Sequence, residues 1–334
     1  MAHSVGMLGQ ECFDLKNKAI AHLHDYSFMD EIPTIDYSLL FSKDHNERAK
    51  SLEHLGKACQ EFGFFYLING VEERVVEGAL KGISDYFELT NQKERSEYLK
   101  KNSMDRIRRY LRSDAGENRE NLKIVTHPEY HCPSKPDSCK YSLFLSFFSY
   151  VIILFKLKQS RQLWDMKKPT SGRNSSLEAG FDVATLNLYP PSLQSKGSTG
   201  LAEHTDPGFF VSLVQDVNGG LQVLSHKGNW ITVNIPRNTI FIGIRDHLEI
   251  LTNGKYKSHI HQVILDNNEV KRISMATLHG PSLDTFVAPA PGFINDSHPP
   301  TYRGMTYKES LELNGFDEID VQSSLIQLQM PLSL

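Results

Sequence analysis

Between residues 183 and 278 the chain is cut into seven short β-rich runs, at 183–189, 209–214, 221–224, 230–235, 239–244, 259–265 and 272–278. Turn-forming residues separate them: Pro190-Pro191, Asn218-Gly219-Gly220, Lys227-Gly228-Asn229, Pro236-Arg237-Asn238, Asn253-Gly254 and Asp266-Asn267-Asn268. Such residues fix φ, tolerate positive φ or hydrogen-bond their own backbone. Short runs at this spacing point to a sandwich or barrel. The first hundred residues differ. Leu52, Leu55, Cys59 and Phe62 recur at three- and four-residue spacing and mark one helix face. Gly63 stops that helix, and residues 64–69 (FFYLIN) are an apolar run of strand length. Val75, Val76, Ala79, Leu80, Ile83 and Phe87 give a second amphipathic helix. Residues 32–38 (IPTIDYS) read as extended, and residues 307–313 as a last short helix. The expected fold is mainly β with flanking α, with an N-terminal helical leader before the β core.

A chain of 334 residues buries enough surface to need no disulfide staples. Its 36 basic and 40 acidic side chains leave a formal charge of −4, which suits no phosphate backbone, so no nucleic-acid partner is expected. Cys12, Cys59, Cys132 and Cys139 contain no CxxC pair. They read as free thiols in a reducing compartment, with a Cys132–Cys139 bridge as the alternative. The first twenty residues hold no apolar signal core. The longest apolar run, 141–155, falls short of the ~20 residues of a spanning helix. A monomeric protein of the cytoplasm without a membrane partner is expected, with the nucleus as a second location.

His204-Thr205-Asp206 is the strongest local chemical signal. On an extended backbone, residues two apart face the same way, so imidazole and carboxylate converge. A third ligand comes from His226, His247, His259, His261 or His279. Two histidines and a carboxylate leave three sites of a metal open, the arrangement of non-haem Fe(II) oxygenases. Arg272 and Ser274 share one strand face, where a guanidinium fork and a hydroxyl suit a carboxylate. Tyr189, in the run Asn187-Leu188-Tyr189-Pro190-Pro191, offers a further hydroxyl. Strand parity does not separate His259 from His261, because both face the same way.

The ordered set IPTIDYS, EFGFFYLIN, NLYPP, HTDPG, GGLQVLSHKGNW, DHLEILTNGKYKSHIH, RIS and YRGMTYKESLEL resembles plant 2-oxoglutarate/Fe(II)-dependent dioxygenases, over about residues 31–138 and 176–325. Residues 106–137 look like a subgroup that includes flavanone 3-hydroxylase-like, salicylate-hydroxylase-like and melatonin-hydroxylase-like enzymes. The resemblance implies a double-stranded β-helix, or jelly roll. On that plan residues 1–125 are a helix-rich leader, 126–180 a connection, 181–290 the core and 291–334 a tail with a short helix. It implies that His204, Asp206 and His261 are the catalytic iron ligands, His261 being picked by the family's KSxxH register. Arg272 and Ser274 then clamp the distal carboxylate of 2-oxoglutarate, helped by Tyr189, with Asn187 in the same pocket. The implied cofactors are Fe(II), 2-oxoglutarate as cosubstrate and O2, with ascorbate as reductant. The implied reaction hydroxylates a small plant metabolite (a flavonoid, phenolic acid, indoleamine or hormone) while 2-oxoglutarate is decarboxylated to succinate and CO2. The rival readings are an Fe(II)/O2 oxidase that does not use 2-oxoglutarate, and an impaired jelly-roll binding protein.

The chain departs from the family pattern in five places. Asn69-Gly70 stands where the family has Asn-His-Gly, and Leu188 replaces an aromatic residue. Arg245 replaces a glycine, and a cation there needs solvent or a carboxylate such as Asp246. Gln262 follows the distal histidine in place of arginine. Residues 141–155 are apolar on every side, whereas the family helix of this region keeps a polar face. We read that segment as translated intron sequence; a divergent buried helix is the alternative. A chimera carrying an amphipathic family-like helix between Asp137 and Leu177 is expected to give more soluble protein and more succinate than the present chain. Equal yield and equal turnover, measured side by side, would show that the segment is an accommodated part of the fold.

Overall fold

The computed structural model describes residues 32–89, 92–99, 107–112, 119–134, 180–191, 198–265, 269–313 and 329. The apolar run 141–155 and Cys139 lie outside the described residues. Strand β1 (Thr34–Asp36) is shorter than the expected extended segment, because Asp36 caps the single-turn helix α1 (Tyr37–Leu40). Its carboxylate accepts from the Ser38 N–H at 2.8 Å. Helix α2 (His45–Glu61) starts on Asp44, whose Oδ1 accepts from the N–H groups of Asn46 and Glu47. Gly63 ends the helix with φ +71, and the chain turns into β2 (Phe64–Ile68). The shortened Asn-Gly turn that follows is closed by Asn69, which adopts φ 55 and donates from Nδ2 to Asp36 Oδ2 at 2.7 Å. Helices α3 (Glu73–Leu89) and α4 (Gln92–Ser96) complete the leader.

Next come β3 (Ile107–Arg112), β4 (Arg119–His127), β5 (Phe181–Tyr189), β6 (Ser198–His204), β7 (Phe210–Gln215), β8 (Leu221–Leu224), β9 (Trp230–Thr232) and β10 (Ile240–Ile244). A short helix α5 (Asp246–Leu251) precedes β11 (His261–Leu265) and β12 (Arg272–Gly280). The last elements are β13 (Phe286–Val287), β14 (Met305–Thr306) and α6 (Tyr307–Leu313). All seven expected strands form, with ends displaced by a few residues. The sequence reading misses β3, β4, β6 and the two-residue β13 and β14. β4 and β6 mix polar residues with too few apolar ones to register as a run.

An eight-stranded sheet has the order β1-β2-β10-β7-β12-β5-β4-β3, and a four-stranded sheet the order β6-β11-β8-β9. One face of the large sheet packs Phe65, Ile242, Val214, Met275, Leu186 and Leu122 with Leu55, Ile83 and Tyr86 of the leader helices in a single apolar core. The opposite parity faces the small sheet, where Tyr189 packs with Leu201, Val263 and Leu265. The two sheets form the jelly roll, with helices covering one side. No helix among the described residues is long and apolar enough to cross a membrane.

Gly63 joins the leader to this core at a point with no spare room. A Cβ there would lie 2.5 Å from the His259 ring and 2.6 Å from the Lys257 carbonyl oxygen. Gly63→Ala combines that overlap with a positive φ, and is expected to lower stability by at least about 2 kcal/mol in urea unfolding.

Candidate metal and cosubstrate site

Strands β6 and β11 run antiparallel with His204 directly opposite His261. Directly opposed residues share a face, and here the two imidazole centroids are 4.2 Å apart. Asp206 lies two residues beyond His204, just past the end of β6, and the chain bends from Pro207 on. The Asp246 N–H donates to the Asp206 carbonyl at 3.2 Å, and Thr205 Oγ1 donates to Asp246 Oδ2 at 3.0 Å. The Asp206 carboxylate faces the two histidines, and one ligand atom from each of the three residues lies within 4.8 Å of the others.

The outer nitrogens fix how the rings present themselves. His204 Nδ1 lies 2.8 Å from the Ala202 carbonyl oxygen, and His261 Nδ1 lies 3.3 Å from that of His259. A carbonyl only accepts, so each Nδ1 carries the hydrogen and each Nε2 keeps a lone pair. Nε2 of His204 is 3.5 Å from Asp206 Oδ1, and Nε2 of His261 is 3.2 Å from Oδ2. Burial, with His204 and Arg245 adding to it, pushes His261 down to about 4, so its imidazole is neutral at pH 7. Burial works against the charge on Asp206, but His261, His204 and Arg245 together hold its carboxyl well below the usual range. Two imidazoles and one carboxylate converging on a point fit a divalent metal.

The other candidate histidines are elsewhere. His259 precedes β11 and its ring turns away, edge-on to Phe64 at 5.4 Å, with Nδ1 donating to the Leu224 carbonyl at 2.8 Å. His226 packs on the His259 ring. His247 Nδ1 accepts from the Gly208 N–H at 3.0 Å. His279 meets Ser212 and Asp182 on the far face of the sheet.

Beside the triad, β12 pairs Arg272 with Tyr189 and Ser274 with Asn187 on one side, and Ser274 with Gln215 on the other. Arg272 is 2% exposed. It donates to Ser274 Oγ at 3.2 Å, to Gln215 Oε1 at 2.8 Å and to the Gly219 carbonyl, and its guanidinium lies 4.6 Å from the Tyr189 ring centroid. Those hydrogen-bond partners are all neutral; the Asp216 carboxylate, which accepts from the Ile273 N–H at 2.6 Å, acts on the guanidinium through its charge alone. A buried cation in that state favours an incoming anion. Asn187 Nδ2 donates to Ser274 Oγ at 3.4 Å, while Arg119 Nη1 donates to Asn187 Oδ1 at 3.3 Å.

Sequence reasoning misses Gln215 and Arg119, which need the strand register to be placed. It also misplaces Arg245. The side chain does not turn to Asp246; Nε donates to Asp206 Oδ2 at 3.0 Å. Gln262 points outward and donates to Gln222 Oε1 at 2.9 Å on the neighbouring strand, away from the triad.

Two family models match. Residues 181–281 match the 2OG-Fe(II) oxygenase superfamily, and residues 32–143 match a domain described as non-haem dioxygenase in morphine synthesis, N-terminal. The interval 144–180, with most of the apolar run, falls between the two matches. The 2-oxoglutarate-dependent dioxygenase 19 of Oryza sativa subsp. japonica is 32% identical over 88% of this chain and 89% of its own length. The chain belongs to the 2-oxoglutarate/Fe(II) oxygenase superfamily. It is an oxidoreductase that uses Fe(II) and 2-oxoglutarate to oxygenate a small molecule. Flavanone 3-dioxygenase 3 of the same plant is 27% identical over 84% of this chain and 87% of its own length. The crystal structure of JOX2 in complex with 2OG, Fe and JA superposes with a TM-score of 0.75 at 22% identity, covering 90% of this chain and 89% of that one, which supports the jelly-roll fold.

The buried histidines give a pH signature. Burial lowers His247 to about 3, and burial first among several causes lowers His259 and His261 to about 4, from an ordinary value of 6.5. The unfolded chain therefore takes up protons near 6.5 that the folded chain refuses. Stability is full above that value and falls as the pH drops toward 4. The Asp246 carboxyl, raised to about 7 by burial, works in the opposite sense over this range and offsets part of the loss. Metal-free protein is expected to lose melting temperature between about pH 6.5 and 4, and His259→Gln to flatten that slope. A slope unchanged by His259→Gln contradicts a buried neutral His259.

Proposed function

We propose that His204, Asp206 and His261 hold Fe(II), and that Arg272, Ser274, Tyr189 and Asn187 seat 2-oxoglutarate beside it. One observation carries this reading. A convergent His-Asp-His set and a buried guanidinium hydrogen-bonded to neutral groups sit between the same two sheets. The Nε2 lone pairs and the Asp206 carboxylate bind the metal, with the Ala202 and His259 carbonyls fixing the rings. Arg272 takes the distal carboxylate through its fork, and Ser274 Oγ, already oriented by Arg272 and Asn187, adds a donor. Tyr189 walls the pocket and covers the guanidinium. The apolar Leu201, Val263 and Leu265 keep water from the clamp.

When bound, iron with 2-oxoglutarate and O2 supplies the oxidising chemistry: one oxygen atom enters the substrate as hydroxyl, the other enters succinate, and CO2 leaves. Ascorbate serves as the reductant that keeps the metal ferrous. The substrate is a small plant metabolite such as a flavonoid, phenolic acid, indoleamine or hormone. A relative named as a flavanone 3-dioxygenase and a fold neighbour solved with JA support that class. The chain acts as a monomer in the cytoplasm or nucleus and engages no nucleic acid, in keeping with a formal charge of −4. We assign residues 1–125 to the leader, 126–180 to the connection, 181–290 to the core and 291–334 to the tail.

His204→Ala, Asp206→Ala and His261→Ala are each expected to abolish most iron binding, whereas His259→Ala leaves it largely intact. The reverse order for the two β11 histidines, in an iron-binding titration, contradicts the ligand set. Arg272→Lys keeps the charge but loses the fork. It is expected to weaken 2-oxoglutarate binding by roughly ten- to a hundredfold with little effect on iron. An unchanged 2-oxoglutarate requirement contradicts the clamp.

A further inference from the structure

Arg245 follows the last residue of β10 and projects from the face of the large sheet that looks toward the triad. It is 4% exposed. Nε donates to Asp206 Oδ2 at 3.0 Å, and Nη1 donates to the Ile244 carbonyl at 2.9 Å. Two residues earlier on the same face, Gly243 leaves the space that the guanidinium fills. A Cβ at 243 would lie 2.7 Å from Nη1 and 3.2 Å from both Cζ and Nη2. Glycine at 243 and arginine at 245 therefore work as a pair. The family pattern carries glycine at 245, so the buried cation is this chain's own addition.

A guanidinium in this place has two physical consequences. It ties up a lone pair of Oδ2, which fixes the rotation of the Asp206 carboxylate and turns Oδ1 toward His204 Nε2, 3.5 Å away. It also places a permanent positive charge in direct contact with a metal-ligating oxygen. Asp206 must then share its charge between arginine and metal. Repulsion between the arginine and a bound ion grows with the ion's charge, so a trivalent ion suffers more than a divalent one.

We propose that Arg245 is a positioning residue that orients Asp206 and biases the site toward ferrous over ferric iron, at the expense of metal affinity. The proposal rests on the triad being the metal site. A carboxylate partnered by a fixed cation is a weaker ligand, and the iron it holds is harder to oxidise. The arginine thus protects the reactive oxidation state in the absence of substrate.

The test uses the whole chain and two measurements other than turnover: Mn(II) binding to metal-free protein, followed by the EPR signal of free Mn(II), and the Fe(III)/Fe(II) midpoint potential of the iron-loaded protein. His204→Ala is the control, since retention of one tight Mn(II) site in that variant would remove the triad reading itself. Arg245→Gln keeps a donor and removes the charge. It is expected to bind Mn(II) roughly tenfold more tightly and to show a lower midpoint potential. Arg245→Lys keeps the charge and is expected to stay close to wild type in both. Should Arg245→Gln fail to fold, Arg245→Gly restores the family residue and is expected to shift both readouts in the same direction as Gln. If the neutral variants bind Mn(II) no more tightly than wild type, or if the lysine variant shifts as far as they do, the proposal is overturned.

Discussion

The site depends on one strand pairing. β6 and β11 are held so that His204 stands opposite His261. A slip of one residue would turn one of the two imidazoles outward. The pairing is irregular just after this point, with register shifts between His261 and Val263 and again before Ile264. Asp206 is supplied from beyond the strand end, and its position comes from the Asp246 amide and from Arg245. The proposed clamp obeys the same logic on the opposite sheet, where two pairings align Gln215, Ser274 and Asn187.

Of the buried guanidiniums that face this interior, Arg245 and Arg272 differ in their partners. Arg245 has an anion in contact, the carboxylate of Asp206. Arg272 touches a hydroxyl, an amide oxygen, a carbonyl and an aromatic face, and feels the Asp216 carboxylate only through its charge. In a medium that penalises isolated charge, the second is receptive to a carboxylate ligand and the first is not. This difference supports the proposed roles where residue type does not, since both side chains are arginines buried to nearly the same degree.

Much of the fold was legible in the sequence because its signals are local. The helix faces at Leu55, Ala79 and Ile83 and the turn at Gly63 need only spacing and steric rules. The β runs of the core read clearly where both faces are apolar. β4 and β6 do not, since their inward faces carry Arg119, Asn121 and His204. The polar residues that build the site erase the pattern that marks a strand. The choice between His259 and His261 was likewise hidden. It turns on where β11 begins, which the hydrogen bond from His259 to the Leu224 carbonyl decides. Arg245 finding Asp206 rather than Asp246 depends on the turn after His204, which no local rule contains.

The central claim is that one metal and one 2-oxo acid are held together between the two sheets. Anaerobic visible spectroscopy tests it most directly, because a 2-oxo acid chelating Fe(II) produces a metal-to-ligand charge-transfer absorption that neither component has alone. The band is expected to appear only when both Fe(II) and 2-oxoglutarate are present, to saturate at one equivalent of each per chain, and to bleach when O2 is admitted. No band, or a band that saturates at a different stoichiometry, contradicts the account.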